Sequence, residues 1–263
     1  MITVITPTRN RAECFGLLRR CMSLQTIKES IYWIVVNDGP RLYPIPDRGL
    51  LKSASGCFIV TQQLHRVPAP NEGHSLPANI LAALRHIKQD SNPGLPKSQL
   101  FFIWEDDDWY HPRYLEEGVK IFDDPKIMLG GFGPSLYYNV RRRNYKALAN
   151  KFRHASLAVT GFRRPYIPFL KKVCSHKERY VDLRAWRWYK HPAKKRIVDQ
   201  RKLRTDKDPR MLYVGIKGMP GEPGIGTGHK MKKTARKDPD QSKLRSWIGD
   251  DVSIYTHYYD PGV

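Results

Sequence analysis

Residues 101 to 112 read FFIWEDDDWYHP. Phe101, Phe102, Ile103 and Trp104 have the pattern of a buried strand end, and they run directly into Glu105, Asp106, Asp107 and Asp108, closed by Trp109 and Pro112. Four adjacent carboxylates repel one another. On a solvated tail that repulsion relaxes, but here an apolar strand in front and a helix opening near Pro112 behind hold the charges in place. A divalent cation relieves such crowding, because hard oxygen ligands suit Mg²⁺ or Mn²⁺, and Mg²⁺ commonly shares its shell with substrate phosphates. The stretch predicts a metal-diphosphate site at the carboxyl end of a strand. The competing reading is an acidic turn at the N-terminus of the next helix, where Asp and Glu are favoured.

Upstream, Ile2 to Thr6 (ITVIT) is a β-branched run ended by Pro7-Thr8-Arg9-Asn10, and Cys14, Leu17, Leu18, Cys21 and Leu24 follow at helical spacing. Ile31 to Val36 (IYWIVV) predicts a second buried strand ending in Asn37-Asp38-Gly39. Cys57 to Thr61 predicts a third, after a loop with Pro44, Pro46 and Gly49. Ser75 to Lys88 predicts a helix with Pro77 in its first turn and Ile80, Leu84 and Ile87 inward. This alternation is that of an α/β sheet, whose ligands bind beyond the carboxyl ends of its strands. Three such ends carry ligand-type residues: Thr6 to Arg9, Asn37 to Gly39, and Glu105 to Asp108.

Downstream, Arg113 to Phe122 predicts a helix. Ile127 to Leu129 and Leu136 to Val140 predict strands around a turn at Gly130 to Pro134, Ser156 to Thr160 another strand, and Tyr166 to Val173 a short helix. Met211 to Ile216 predicts a last strand, before a segment with Gly218, Gly221, Gly224, Gly226 and Gly228. Glycine-rich backbone of this kind approaches phosphates closely. The expected organisation is a ligand-binding half (1–112), a second half (113–217) and a Gly-rich, basic C-terminal segment (218–263) of the same domain.

The ordered set ITVITPTRNR, WIVVNDG, a helix of the form N-x-x-x-A-L, and FFIWEDDDWYHPRYLE resembles the GT-A fold glycosyltransferases, most closely the family 2 type. The resemblance covers roughly residues 1 to 120. It implies a mostly parallel mixed sheet flanked by helices and a nucleotide-sugar donor, with uridine the commonest base. Thr6, Pro7, Thr8 and Arg9 would lie at the nucleotide and Asp38 on its base or ribose. Asp106 and Asp108 would be the paired acids that place Mn²⁺ or Mg²⁺ on the diphosphate, with Asp107 the rival, since EDDD offers three ways to place two ligands. The segment Glu178 to Tyr189 is similar to the family's acidic segment before a helix, which makes Asp182, or else Glu178, the base of an inverting transfer. The alternative for Asp182 is a cap or ion-pair role among Arg184, Arg187 and Lys190. A C-terminal histidine completes the metal shell in many such enzymes, which points to His229, although a lone histidine is commonly a surface residue. His111 and His154 have weaker claims.

The charge is uneven. Of 46 Lys and Arg against 25 Asp and Glu (net +21), residues 1 to 110 hold 12 and 10, and residues 111 to 263 hold 34 and 15. The basic surface thus belongs to the second half and fits a polyanion. Basic residues run from Lys190 to Arg210 behind Trp186, Trp188 and Tyr189, and recur at Lys230 to Lys233, Arg236 and Lys237. A charged run is commonly just a solvated face, but interleaved aromatics suit nucleic acid. The expected acceptor is a hydroxyl on a modified DNA base, such as a hydroxymethylpyrimidine, as in bacteriophage enzymes that glycosylate their own DNA. The alternatives are a transferase for surface polysaccharide or lipid-linked glycan, and a non-catalytic nucleic-acid-binding protein on the same scaffold. No apolar run is long enough to span a membrane, and the N-terminus reads as a core strand and not a signal peptide, so a cytoplasmic location is expected. The four cysteines have neither CxxC nor zinc spacing and are read as unreactive.

Overall fold

The computed structural model describes residues 1–40, 48–68, 75–89, 98–148, 154–176, 180–221 and 235–260. Strands β1 (Ile2–Thr8), β2 (Ile31–Asn37), β4 (Phe58–His65) and β5 (Leu100–Ile103) pair in parallel in the order β4-β2-β1-β5. β1 and β2 are buried along their whole length, which is why they read as unbroken apolar runs. Beyond β5 come the antiparallel β10 (Thr160–Arg163), then β7 (Leu129–Gly133) and β11 (Lys195–Asp199). At the other edge β3 (Arg48–Lys52) pairs antiparallel with β4. Among the described residues this makes an eight-stranded, mostly parallel mixed sheet, the architecture expected of the GT-A class. It draws strands from both 1–112 and 113–217.

Helix α1 (Ala12–Ser23) lays Phe15 against Trp33 of β2, rings 5.5 Å apart and stacked. Helix α2 (Ser75–Gln89) packs on β1, β2 and α4 (Ile167–Ser175), burying Ile80 and Leu84. A smaller sheet has the order β13-β9-β8-β12-β6, from β6 (Trp109–Tyr110), β8 (Ser135–Asn139), β9 (Asn144–Leu148), β12 (Tyr213–Lys217) and β13 (Arg236–Lys237). It carries the chain just after the acidic stretch against the chain just before the Gly-rich segment. Helix α6 (Ser242–Ile248) and the 3-10 run Gly249–Tyr258 wrap onto this body, where Asp251 accepts hydrogen bonds from Trp109 Nε1 and Arg20.

Two local expectations are corrected. The stretch Gly130 to Pro134 is not a turn: Gly130 and Gly131 lie inside β7. A Cβ at Gly131 would come within 2.7 Å of Ala155 Cβ and of the Val159 carbonyl, so close packing and not chain reversal demands these glycines. Ser156 to Thr160 is not a strand but a 3-10 turn (Leu157–Val159) leading into β10. Within the basic run after Lys190, Lys195–Asp199 forms the edge strand beside β7. All four cysteines are free and buried. No described helix is long and apolar enough to cross a membrane.

Candidate active site

The parallel strands set their carboxyl ends side by side. Thr8 of β1 is in register with Asn37 of β2, the Asp38 amide donates to the Thr8 carbonyl, and the Trp104 amide donates to the Ile5 carbonyl. The loops after β1, β2, β4 and β5 therefore meet. Asn37 Oδ1 accepts from the Gly39 amide at 2.8 Å. A Cβ on Gly39 would lie 2.8 Å from the Asn10 nitrogen, so the loops after β1 and β2 touch.

The acidic turn sits on an aromatic floor. Trp104 and Tyr110 stack at 4.0 Å with 5° between planes, Tyr114 meets both edge-on, and the Tyr110 hydroxyl accepts from the Glu105 amide while donating to the Ala158 carbonyl. Such a floor removes water from the carboxylates above it. Burial pushes Asp106 and Asp108 above the usual carboxylate range, despite Arg11 and Lys217 pulling the other way. Burial together with the neighbouring acids pushes Glu105 up to about 7.

Each aspartate has defined partners. Asp106 Oδ2 accepts from the Thr8 hydroxyl at 2.5 Å, and Asp106 Oδ1 lies 2.8 Å from Arg11 Nη1. Arg11 also stands 3.3 Å from Asp107 Oδ2. Lys217, last residue of β12, brings its ammonium 3.0 Å from Asp107 Oδ1 and 2.8 Å from Asp108 Oδ1. Asp108 also accepts from the Tyr213 hydroxyl at 2.6 Å and from the Ile216 amide at 3.1 Å. The surrounding carboxylates hold Arg11 and Lys217 above their ordinary ranges against the effect of burial, so both are cations here.

Glu105, Asp107 and Asp108 each offer an oxygen within 4.8 Å of the others. Asp106 stands outside this trio, turned to Thr8 and Arg11. The donor set is all hard oxygen, and four carboxylates face two basic side chains, so by charge and ligand type the turn suits one divalent cation. Across the loops, Asp38 is buried. Its Oδ2 accepts from Arg66 Nη2 at 3.0 Å, Arg66 Nε donates to Asn79 of α2 at 2.6 Å, and Asp38 Oδ1 has no partner among the described residues. A buried oxygen left this way costs on the order of 1–3 kcal/mol unless something else donates to it.

Of the residues read from sequence, Pro7, Thr8, Arg9, Asp38 and Asp106 to Asp108 gather at this edge. Thr6 does not: it is buried in the sheet, where its hydroxyl accepts from Trp33 Nε1 at 3.0 Å. Asp182 stands in the first turn of α5 (Val181–Trp188), close enough that its charge acts on Glu105. Burial raises its carboxyl, and His154 offsets part of that. Glu178, His229, Gly224, Gly226, Gly228 and Lys230 to Lys233 lie outside the described residues. The described start of the Gly-rich segment does reach the site: a Cβ on Gly221 would lie 2.8 Å from Arg11 Cγ, and that glycine has a φ of +101°. His111 is not at the site but a buried partner of Asp208, 2.8 Å away. Sequence reasoning missed Arg11, Arg66, Tyr213 and Lys217. The one available signal for Lys217 was a basic residue ending the apolar run MLYVGIK.

No protein-family model matches the chain, and no curated protein matches it. Among solved structures, the chain is similar to TarS of S. aureus, with TM-score 0.49 and 10% identity over 82% of this chain and 37% of that one. It is likewise similar to TarS 1–349 in complex with UDP-GlcNAc, with TM-score 0.45 and 12% identity over 84% and 60%. A third likeness is to the mannosyltransferase PcManGT from Pyrobaculum calidifontis in complex with GDP-Man and Mn²⁺, with TM-score 0.40 and 16% identity over 64% and 46%. The chain thus spans less than two thirds of the length of each.

Proposed function

We propose that this chain is a glycosyltransferase that moves a sugar from a nucleotide-sugar, with uridine the expected base, to an acceptor hydroxyl, and that the acceptor is a hydroxymethylated base in DNA. The observation that carries the donor half is the meeting, at one sheet edge, of Asp38 with its unpartnered buried oxygen and the acidic turn flanked by Arg11 and Lys217. Asp38 Oδ1 is fixed as an acceptor by Arg66 and takes an N–H of the base or a ribose hydroxyl. Arg11 and Lys217 supply positive charge where a diphosphate leaves. A divalent cation, Mn²⁺ or Mg²⁺, would be held by oxygens of Glu105, Asp107 and Asp108, and would further neutralise the departing diphosphate.

Asp182 is the proposed base, with Glu178 the alternative. Its carboxylate takes the acceptor proton as the oxygen bonds to the anomeric carbon and the bond to the diphosphate oxygen breaks. Attack opposite the leaving group inverts that carbon. A carboxyl held above its usual range by burial is a stronger base than one in water.

The acceptor half is supported by charge and exposure. Arg187, Lys190, Lys194 and Arg196 are exposed, Trp188 is 39% exposed with Arg184 4.4 Å over its ring, and Tyr180 is 45% exposed. Cations beside accessible aromatic faces suit a nucleic acid strand. The test is intact mass of a duplex oligonucleotide carrying one hydroxymethylpyrimidine, after incubation with nucleotide-sugars and Mn²⁺. A gain of one sugar is expected there and none on the unmodified duplex. Donor consumption without any gain would move the acceptor to a glycan.

A further inference from the structure

Lys217 is the least expected member of the acidic turn. Its side chain is 3% exposed, and its ammonium bridges Asp107 and Asp108. Asp108 is fully enclosed and receives three protein donors: Lys217, the Tyr213 hydroxyl and the Ile216 amide. That is the environment of a carboxylate anchored in a fold. Arg11 holds Asp106 and reaches Asp107 from the other side. Of the four acids, only Glu105 has no basic side chain within ion-pair distance among the described residues.

A buried ammonium is costly to desolvate and persists only where carboxylates repay it. A buried run of carboxylates is costly unless cations stand among them. Each requirement answers the other here, across a sequence separation of more than a hundred residues. β6 and β12 pair antiparallel, with Trp109 opposite Val214, so the strand that ends in Lys217 starts beside the acidic turn. Gly218 follows with a φ of +83°, and a Cβ there would lie 2.5 Å from Asn139 Oδ1, so the backbone turns away immediately after placing the amine.

We propose that Lys217 is the tethered counter-cation of the acidic turn, supplying from within the chain the charge a divalent ion would otherwise supply to Asp107 and Asp108, so that the turn keeps its shape without a metal. The proposal rests on the same turn as the proposed function, and its test reads the charge balance without turnover.

The test uses the whole chain, Mn²⁺ as the probe, and two readouts: thermal unfolding, and Mn²⁺ binding followed by the electron paramagnetic resonance of the free ion. The wild-type protein is expected to unfold at the same temperature in EDTA as untreated. Lys217→Met is expected to bind Mn²⁺ about tenfold or more tightly than wild type, since a positive charge beside the ion is gone. Mn²⁺ should also raise its unfolding temperature. Should Lys217→Met fail to fold, the paired Lys217→Met, Asp108→Asn variant removes the ion pair as a unit and is expected to fold in EDTA. A fall of several degrees in the wild-type unfolding temperature on adding EDTA would overturn the proposal, and so would equal Mn²⁺ affinity in wild type and Lys217→Met.

Discussion

Arg66 donates from Nη2 to Asp38 Oδ2 at 3.0 Å, while Asp38 Oδ1, equally buried, receives no hydrogen bond from any described residue. One oxygen is held, and under the proposed function the other receives the nucleotide. Asp38→Ala should weaken binding of a uridine nucleotide about tenfold or more, measured by calorimetry, because a buried charged acceptor is lost. Arg66→Met should weaken it less, since Asp38 stays but loses its orientation. Unchanged affinity in both variants would remove Asp38 from the nucleotide site.

Asp182 tests the chemistry separately from binding. Asp182→Asn keeps shape and hydrogen bonding but cannot take a proton, so kcat should fall by about 10²- to 10⁴-fold. The donor KM should change little. A loss in KM alone would make Asp182 a binding residue.

His111 sets a pH dependence of stability. Its Nδ1 accepts from the Arg113 amide at 2.9 Å, so the proton sits on Nε2, facing Asp208. Burial, helped by Arg210, lowers this imidazole from its ordinary 6.5 to about 4. Between those values the unfolded chain binds the proton and the folded one does not. Stability is therefore full above 6.5 and falls as pH drops toward 4, by up to about 3 kcal/mol. Chemical denaturation of wild type and His111→Gln across this range should show the variant with the shallower slope; parallel slopes would contradict the assignment.

Gly131 tests the packing of β7. A methyl group at this position would meet Ala155, the Val159 carbonyl and Trp186. Gly131→Ala should cost about 1–3 kcal/mol by overpacking, read from denaturant midpoints. If Gly130 to Pro134 were the turn that its composition suggests, the same change would be nearly neutral.

The core of the fold was legible because β1, β2 and β5 are apolar runs ending in polar clusters, and their parallel pairing brings those clusters to one edge. The strands at the other edges were not. β11 is read as a charge run because its lysine and arginine belong to an edge strand beside a single neighbour, and β7 is hidden by glycines whose role is close packing. At the site, the carboxylates were visible as a contiguous cluster. Their partners were not: Lys217 and Tyr213 arrive from a strand about a hundred residues later, and Arg66 is one of many arginines until its contact with Asp38 is seen. Thr6 was misplaced for a simpler reason. It lies on the same face as Thr8 but two residues further back from the strand end, inside the sheet, where its hydroxyl accepts from Trp33.

The most direct test of the central claim is nucleoside diphosphate release from a panel of nucleotide-sugars in the presence of Mn²⁺, with and without hydroxymethylated duplex DNA. The account predicts release from one donor class, increased by that DNA and lost in Asp38→Ala. Absence of release with every donor, with or without DNA, would contradict it.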